Sequence, residues 1–284
     1  MRARFDQFTK GIFREALTPA GTVRNQQEIA PEAQAIDTIF EPDPARTHAL
    51  DELGWLGAMA RAPCIFEAYH DTVDVIEYRG CVRKQLTFDH VEGNKARRKK
   101  RPLPLFPHLW VLSTGRPERV IDGYRFEPSP GWPTGFLQRC EADAVGLVVL
   151  RELPRSRDTL LLRLMGAGSV LDEAIAELLR LPEDAREPEV TMTALIAFRT
   201  RIFQDPTDEE REFLMSSDPL YDRWEKQVKR EGRREMLLDQ LRARFGALPR
   251  ATVARIKAAN ATELSRWAKR VLSAPTLEDV LRDP

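Results

Sequence analysis

Two acids set in apolar surroundings are the residues best placed to do chemistry: Asp37, between Ile36 and Ile39, and Glu67, directly after Cys64-Ile65-Phe66. An acid inside an apolar strand is costly unless it is paired or holds a metal, so its presence there asks for a reason. Mg2+ takes hard oxygen ligands and keeps several of its waters, so two or three acids suffice to bind it. A metal held in this way orients a water and neutralises charge on a scissile phosphate. Two ordinary fates compete with that reading: Asp37 facing solvent on an edge strand, and Glu67 capping the helix that follows.

The elements that must position these acids follow from apolar periodicity. Phe5, Phe8, Ile12, Phe13 and Leu17 recur at three- and four-residue steps, which predicts a helix with one buried face, ended by Pro19 and Gly21. Val23 to Ile29 and Ala33 to Phe40 read as a hairpin broken at Pro31. His48 to Arg61 is compatible with a helix. The run at Cys64, Leu109 to Ser113, and Gly146 to Leu150 read as buried strands. Val73 to His90 has helical spacing and runs into a basic stretch, and Glu127 to Gly135, rich in proline and glycine, reads as an ordered loop. From Asp158 onward the pattern is helical, and Pro219 is expected to separate Glu209 to Met215 from Asp222 to Phe245.

This order of elements, with Phe5-Asp6-x-Phe8-x-Lys10 in the first helix, then Asp37, then Glu67-Ala68-Tyr69, resembles the recombination-promoting nuclease and putative transposase family of the PD-(D/E)XK superfamily. Arg79, Arg83 and Lys84 look like the arginine-bearing helix that follows the family's acidic strand. Leu238-x-x-Leu241-x-x-Arg244-Phe245-Gly246 and Leu264-x-x-Trp267 look like a small helical domain often appended to these nucleases. The resemblance implies an α/β (α+β) restriction-endonuclease-like core, a mixed sheet flanked by helices, followed by an all-α C-terminal region. It divides the chain into a nuclease-like domain over 1–157, a helical connection over 158–226 and a small helical domain over 227–284.

The function so implied is Mg2+-dependent cleavage of DNA, with Mn2+ as the alternative metal. Asp37 and Glu67 would hold the metal and Glu28 would be a third acid. Two residues after the glutamate, where the family carries lysine or glutamine, this chain has Tyr69, which supplies no positive charge. Tyr69 therefore stands at the catalytic position, and Lys84 or Arg83 is the candidate to stabilise charge from the next helix. The alternative is a catalytically decayed nuclease fold that binds DNA or protein.

Lys95, Arg97, Arg98, Lys99, Lys100 and Arg101 put six cations in seven residues, enough to neutralise several phosphates or to form a solvated loop. Any pull toward nucleic acid is local, because 44 basic residues balance 44 acidic ones over 284 positions. Three widely spaced cysteines fit neither a disulfide framework nor a metal knuckle, and His48, His70, His90 and His108 lack zinc-ligand spacing. With a charged N-terminus and no apolar run of about 18 residues, neither a signal peptide nor a membrane span is expected, and the expected location is the cytoplasm. The segment Asp222 to Phe245 is long enough to pair with a second copy, so a homodimer through C-terminal helices is a further expectation.

Overall fold

Helix α1 (Phe5–Leu17) buries Phe8, Ile12, Phe13 and Leu17, as its spacing requires, and leads into strands β1 (Gly21–Ile29) and β2 (Gln34–Pro42). The computed structural model describes residues 5–29, 34–182, 185–200 and 207–282. The segment read as one helix over His48 to Arg61 is a 3-10 turn, Thr47–Leu53, followed by α2 (Gly54–Met59). Gly54, at φ 55°, makes the change of direction between them, and an added Cβ there would also meet the backbone of Asp158.

Strand β3 (Cys64–Tyr69) then enters the sheet, and α3 (Val75–Arg98) crosses over to β4 (His108–Ser113). A capping box fixes the start of α3, with Asp74 accepting from the Glu77 amide and Glu77 from the Asp74 amide. Because α3 reaches Arg98, the first half of the basic run lies on its last turns rather than in a loop. Favourable placement of cations at a helix C-terminus accounts for the extension. Helix α4 (Glu118–Tyr124) follows. The passage read as a loop from Glu127 instead forms the short strand β5 (Glu127–Pro128), which a turn joins to β6 (Phe136–Gln138). Strand β6 escaped notice because three residues are too few for an alternation to register. Strand β7 (Val145–Val149) completes the sheet.

The sheet order is β1-β2-β3-β4-β7-β6-β5. Its centre, β3-β4-β7, is parallel, and antiparallel pairs flank it on both sides. Central strands covered on both faces must be apolar throughout, and Cys64–Phe66, Leu109–Leu112 and Val145–Val149 are all buried. Gly146 sits against the indole of Trp110, whose Nε1 donates to the Met59 carbonyl. A Cβ at position 146 would be driven into that ring. We expect Gly146→Ala to destabilise the protein by about 1–3 kcal/mol, as overpacked core sites do, read as a lowered urea midpoint at unchanged m-value.

Two compact units divide the chain, Met1–Ser217 and Asp218–Pro284. In the first, α5 (Leu160–Arg163), α6 (Ser169–Leu178) and α7 (Arg186–Arg199) follow the sheet, and α7 packs on α1 through Phe8 and Phe198, with Phe213 completing the aromatic contact. Helix α8 (Asp208–Phe245) runs through Pro219 without the break expected there. Proline removes one amide donor from the ladder. Nearby, the Leu214 carbonyl accepts from the Arg199 guanidinium and the Ser217 hydroxyl, so side chains supply donors in this stretch of helix. In the second unit, α9 (Arg250–Ala258), α10 (Ala261–Arg270) and α11 (Leu277–Leu281) join the end of α8 around Leu237, Leu241, Ile256, Leu264, Trp267 and Val280. No helix among the described residues is long and apolar enough to cross a membrane.

Candidate active site

The site grows out of a place where two antiparallel strands part. Strands β2 and β3 pair Phe40 with Cys64, Ile39 with Ile65, and Thr38 with Phe66. One position further on, side chains take over the hydrogen bonding. The Asp37 amide donates to Glu67 Oε1 at 3.3 Å, and the Ala68 amide donates to Asp37 Oδ2 at 3.2 Å. Each carboxylate thus satisfies an amide of the opposite strand. This exchange brings the two acids together and holds them with backbone donors that cannot move away.

Two lysines close the cluster from different helices. Lys84 of α3 places Nζ 2.7 Å from Glu67 Oε2, and Lys10 of α1 places Nζ 3.5 Å from Asp37 Oδ1. Glu67 is 1% exposed and Lys10 3%, while the Asp37 side chain keeps 20% of its surface open. The quartet is therefore walled on the Glu67 side and accessible beside Asp37. The Lys10 helix is tied to the hairpin as well: Asn25 donates to the Lys10 carbonyl, and the Thr38 hydroxyl donates to Asn25 Oδ1.

Burial, and after it the neighbouring Asp37 charge, push the Glu67 carboxyl up to about 8, although Lys84 pulls the other way. Burial lowers the Lys84 ammonium, and Glu67 more than offsets it, leaving that ammonium above its ordinary value. Burial thus favours the neutral form of Glu67 in this arrangement. The donor set fits a divalent cation: both acids offer hard oxygens with a second lone pair each, and Mg2+ commonly takes one or two carboxylates and completes its shell with water. Among the described residues no cluster of three or more histidine, cysteine or acidic side chains is arranged to hold a metal.

The other sequence candidates are distributed as follows. Glu67 and Tyr69 alternate on β3 and share one face, over which Cys81 and Lys84 of α3 lie one turn apart. The Tyr69 hydroxyl makes a 3.1 Å contact with Cys81 Sγ, and burial, then Cys81, raises its pKa strongly. Tyr69 therefore packs beside the acids as a neutral group, and Lys84 is the cation on Glu67. Arg83 is exposed on α3, and Arg79 donates to the Tyr124 hydroxyl. Glu28 pairs through its backbone with Ala35, and its side chain lies outside the described residues.

Lys95, Arg97 and Arg98 lie in the last turns of α3, and Lys99, Lys100 and Arg101 follow it. Lys95 is eleven residues beyond Lys84, about 16 Å along the helix, so the basic run does not join the quartet. Instead Lys95, Lys99 and Arg101 border a concavity of ≈ 450 Å³ with Arg24, Phe88 and Leu105.

Lys10 is the member to which sequence reading assigned no role. It stands three residues before Phe13 and seven before Leu17, on the buried stripe of α1, and a lysine at such a position is the signal that was available. Compared with family models, curated proteins and solved structures, the chain matches none of them.

Proposed function

We propose that the first unit is a divalent-metal-dependent DNA endonuclease core of the PD-(D/E)XK type, related to the recombination-promoting nucleases and transposases. The observation that carries this reading is the Asp37–Glu67 pair, fixed across parting strands with an ammonium against each acid. Supporting it is the succession of α1, the β1–β2 hairpin with Asp37, β3 with Glu67 and the long helix α3, the order on which the family resemblance rests, with α2 set between β2 and β3.

Asp37 and Glu67 are the residues that would hold Mg2+ or Mn2+, a cation that supplies an acidified water and charge neutralisation at a phosphodiester. Lys84, fixed by Glu67, presents a positive charge where a reacting phosphate would develop negative charge, the task that Tyr69 cannot perform. Lys10 pairs with Asp37 and holds it in register. The partly exposed side of Asp37 is where the substrate would approach.

A second reading is favoured by one specific observation. Three of the four carboxylate oxygens accept a hydrogen bond and the fourth pairs with Lys10, which makes a self-contained quartet suited to a nuclease fold that has lost cleavage and binds DNA or protein. Supercoiled plasmid separates the two. Incubated with Mg2+, wild-type protein is expected to nick it while Asp37→Ala and Glu67→Ala leave it at background. Equal background in all three overturns the endonuclease reading and leaves the second.

A further inference from the structure

Helix α10 carries a surface that the acid pair does not use. Its inner side, Leu264 and Trp267, is buried in the second unit's core, so the residues between them face outward. Outward there is a concavity of ≈ 640 Å³ bounded by Arg233 of α8 and by Thr262, Ser265, Arg266, Lys269 and Arg270 of α10. Four cations and two hydroxyls border it, without a single acid. The one nearby carboxylate on the helix, Glu263, is committed to the capping box with Asn260. Among the described residues none of these four cations forms an ion pair, although Arg270 donates to the Arg282 carbonyl.

Like charges three and four residues apart on one helix repel each other, so Arg266, Lys269 and Arg270 are held together at a cost that an anion would relieve. Two of them, in the last turn, also complement the helix C-terminus, but that accounts for neither Arg266 nor Arg233. The charge is not averaged over the chain either. Residues 218–284 hold 15 basic and 10 acidic side chains, a surplus of five, while residues 1–217 hold 29 and 34, a deficit of five. The balanced total conceals a basic C-terminal unit.

We infer that this face of α10, with Arg233, binds the phosphate backbone of a nucleic acid. The bordering residues Thr262 to Arg270 extend about 12 Å along the helix, a span longer than one phosphate group and long enough to meet successive phosphates of a strand. An isolated phosphate would meet only part of it. Recognition here is of the backbone and carries no base sequence, because lysine, arginine and hydroxyl groups contact phosphate without reading base edges. The inference stands apart from the endonuclease reading, since binding requires no metal.

The test uses the full-length chain and a fluorescein-labelled 20-base-pair duplex in EDTA, with anisotropy read from 50 to 200 mM KCl. Arg266→Gln/Lys269→Gln, the first half-buried and the second exposed, is expected to weaken binding about 10- to 100-fold at the lower salt and to reduce the slope of log Kd against log salt by about 2. Unchanged affinity and slope overturn the inference, more pointedly if Lys99→Gln/Arg101→Gln lowers both. Displacement of the duplex by pyrophosphate at concentrations where equal ionic strength of KCl has no effect identifies a small-phosphate site and also overturns it. Asp37→Ala is expected to bind as wild type does, so loss of nicking with retained binding bears on the first unit alone.

Discussion

Between pH 6.5 and 8 the protein is expected to lose roughly 2 kcal/mol of stability, and Glu67→Gln is expected to keep it. The sign follows from two buried groups that act in opposite directions. Burial, and then Asp37, raise Glu67 from its ordinary 4.5 to about 8. Its contribution is therefore fully present below 4.5 and is lost as the pH rises to 8. His108 is lowered by burial from 6.5 to about 4, against the Trp110 ring at 4.3 Å between centroids. Its contribution is fully present above 6.5 and is lost as the pH falls to 4.

The two slopes cancel between 4.5 and 6.5, and only the Glu67 loss remains above 6.5. Glutamine keeps an acceptor oxygen for only one of the two donors, the Asp37 amide or Lys84, but carries no charge to desolvate, so its stability relative to wild type improves as pH rises. Urea midpoints at pH 5, 6.5 and 8 decide the matter. A wild-type curve that stays parallel to that of Glu67→Gln would show that Glu67 is ionised throughout and fully compensated by Lys84. His108→Gln gives the complementary control, falling steadily from 4.5 upward.

Lys84→Met is expected to reduce plasmid cleavage by about 10²- to 10³-fold while changing duplex binding in EDTA less than about threefold. Lys84 is in contact with Glu67 and reaches the acid from α3, on the sheet face that also carries Tyr69. Removing it takes away the charge that the proposed endonuclease would set against the transition state, and leaves the basic face of α10 untouched. Met is close in length to the lysine stem, which limits the packing change. Removal also leaves Glu67 without its ammonium, so the urea midpoint of the variant is checked before its cleavage is compared with wild type. Wild-type cleavage by Lys84→Met would reduce Lys84 to a counter-ion for Glu67, and partial recovery in Lys84→Arg would show that charge at this position is what matters.

Much of the frame was legible from local pattern. The extent of α1, the β1–β2 hairpin, the apolar strands β3, β4 and β7, and the helical second half each follow from periodicity and from proline and glycine placement, which act over a few residues. Strand β6 was too short to show a period. The unbroken passage of α8 through Pro219 was hidden for a different reason: a proline is read locally as a helix break, and its toleration inside this helix is not written in a local period.

By itself the sequence determined that Asp37 and Glu67 are acids in apolar strands, that Lys84 is available one element later, and that no cation follows Glu67 at Tyr69. It also contained the basic surplus of the last 67 residues, a count that needs only the unit boundary to be meaningful. Tertiary structure alone decided that the two carboxylates exchange backbone partners across the parted strands. It also decided that Lys10, 27 residues upstream of Asp37, joins them, and that Tyr69 turns its hydroxyl to Cys81. Which lysine reaches which acid depends on how far α1 and α3 are set over the sheet. That distance is fixed by packing among residues remote in sequence, which no local period encodes.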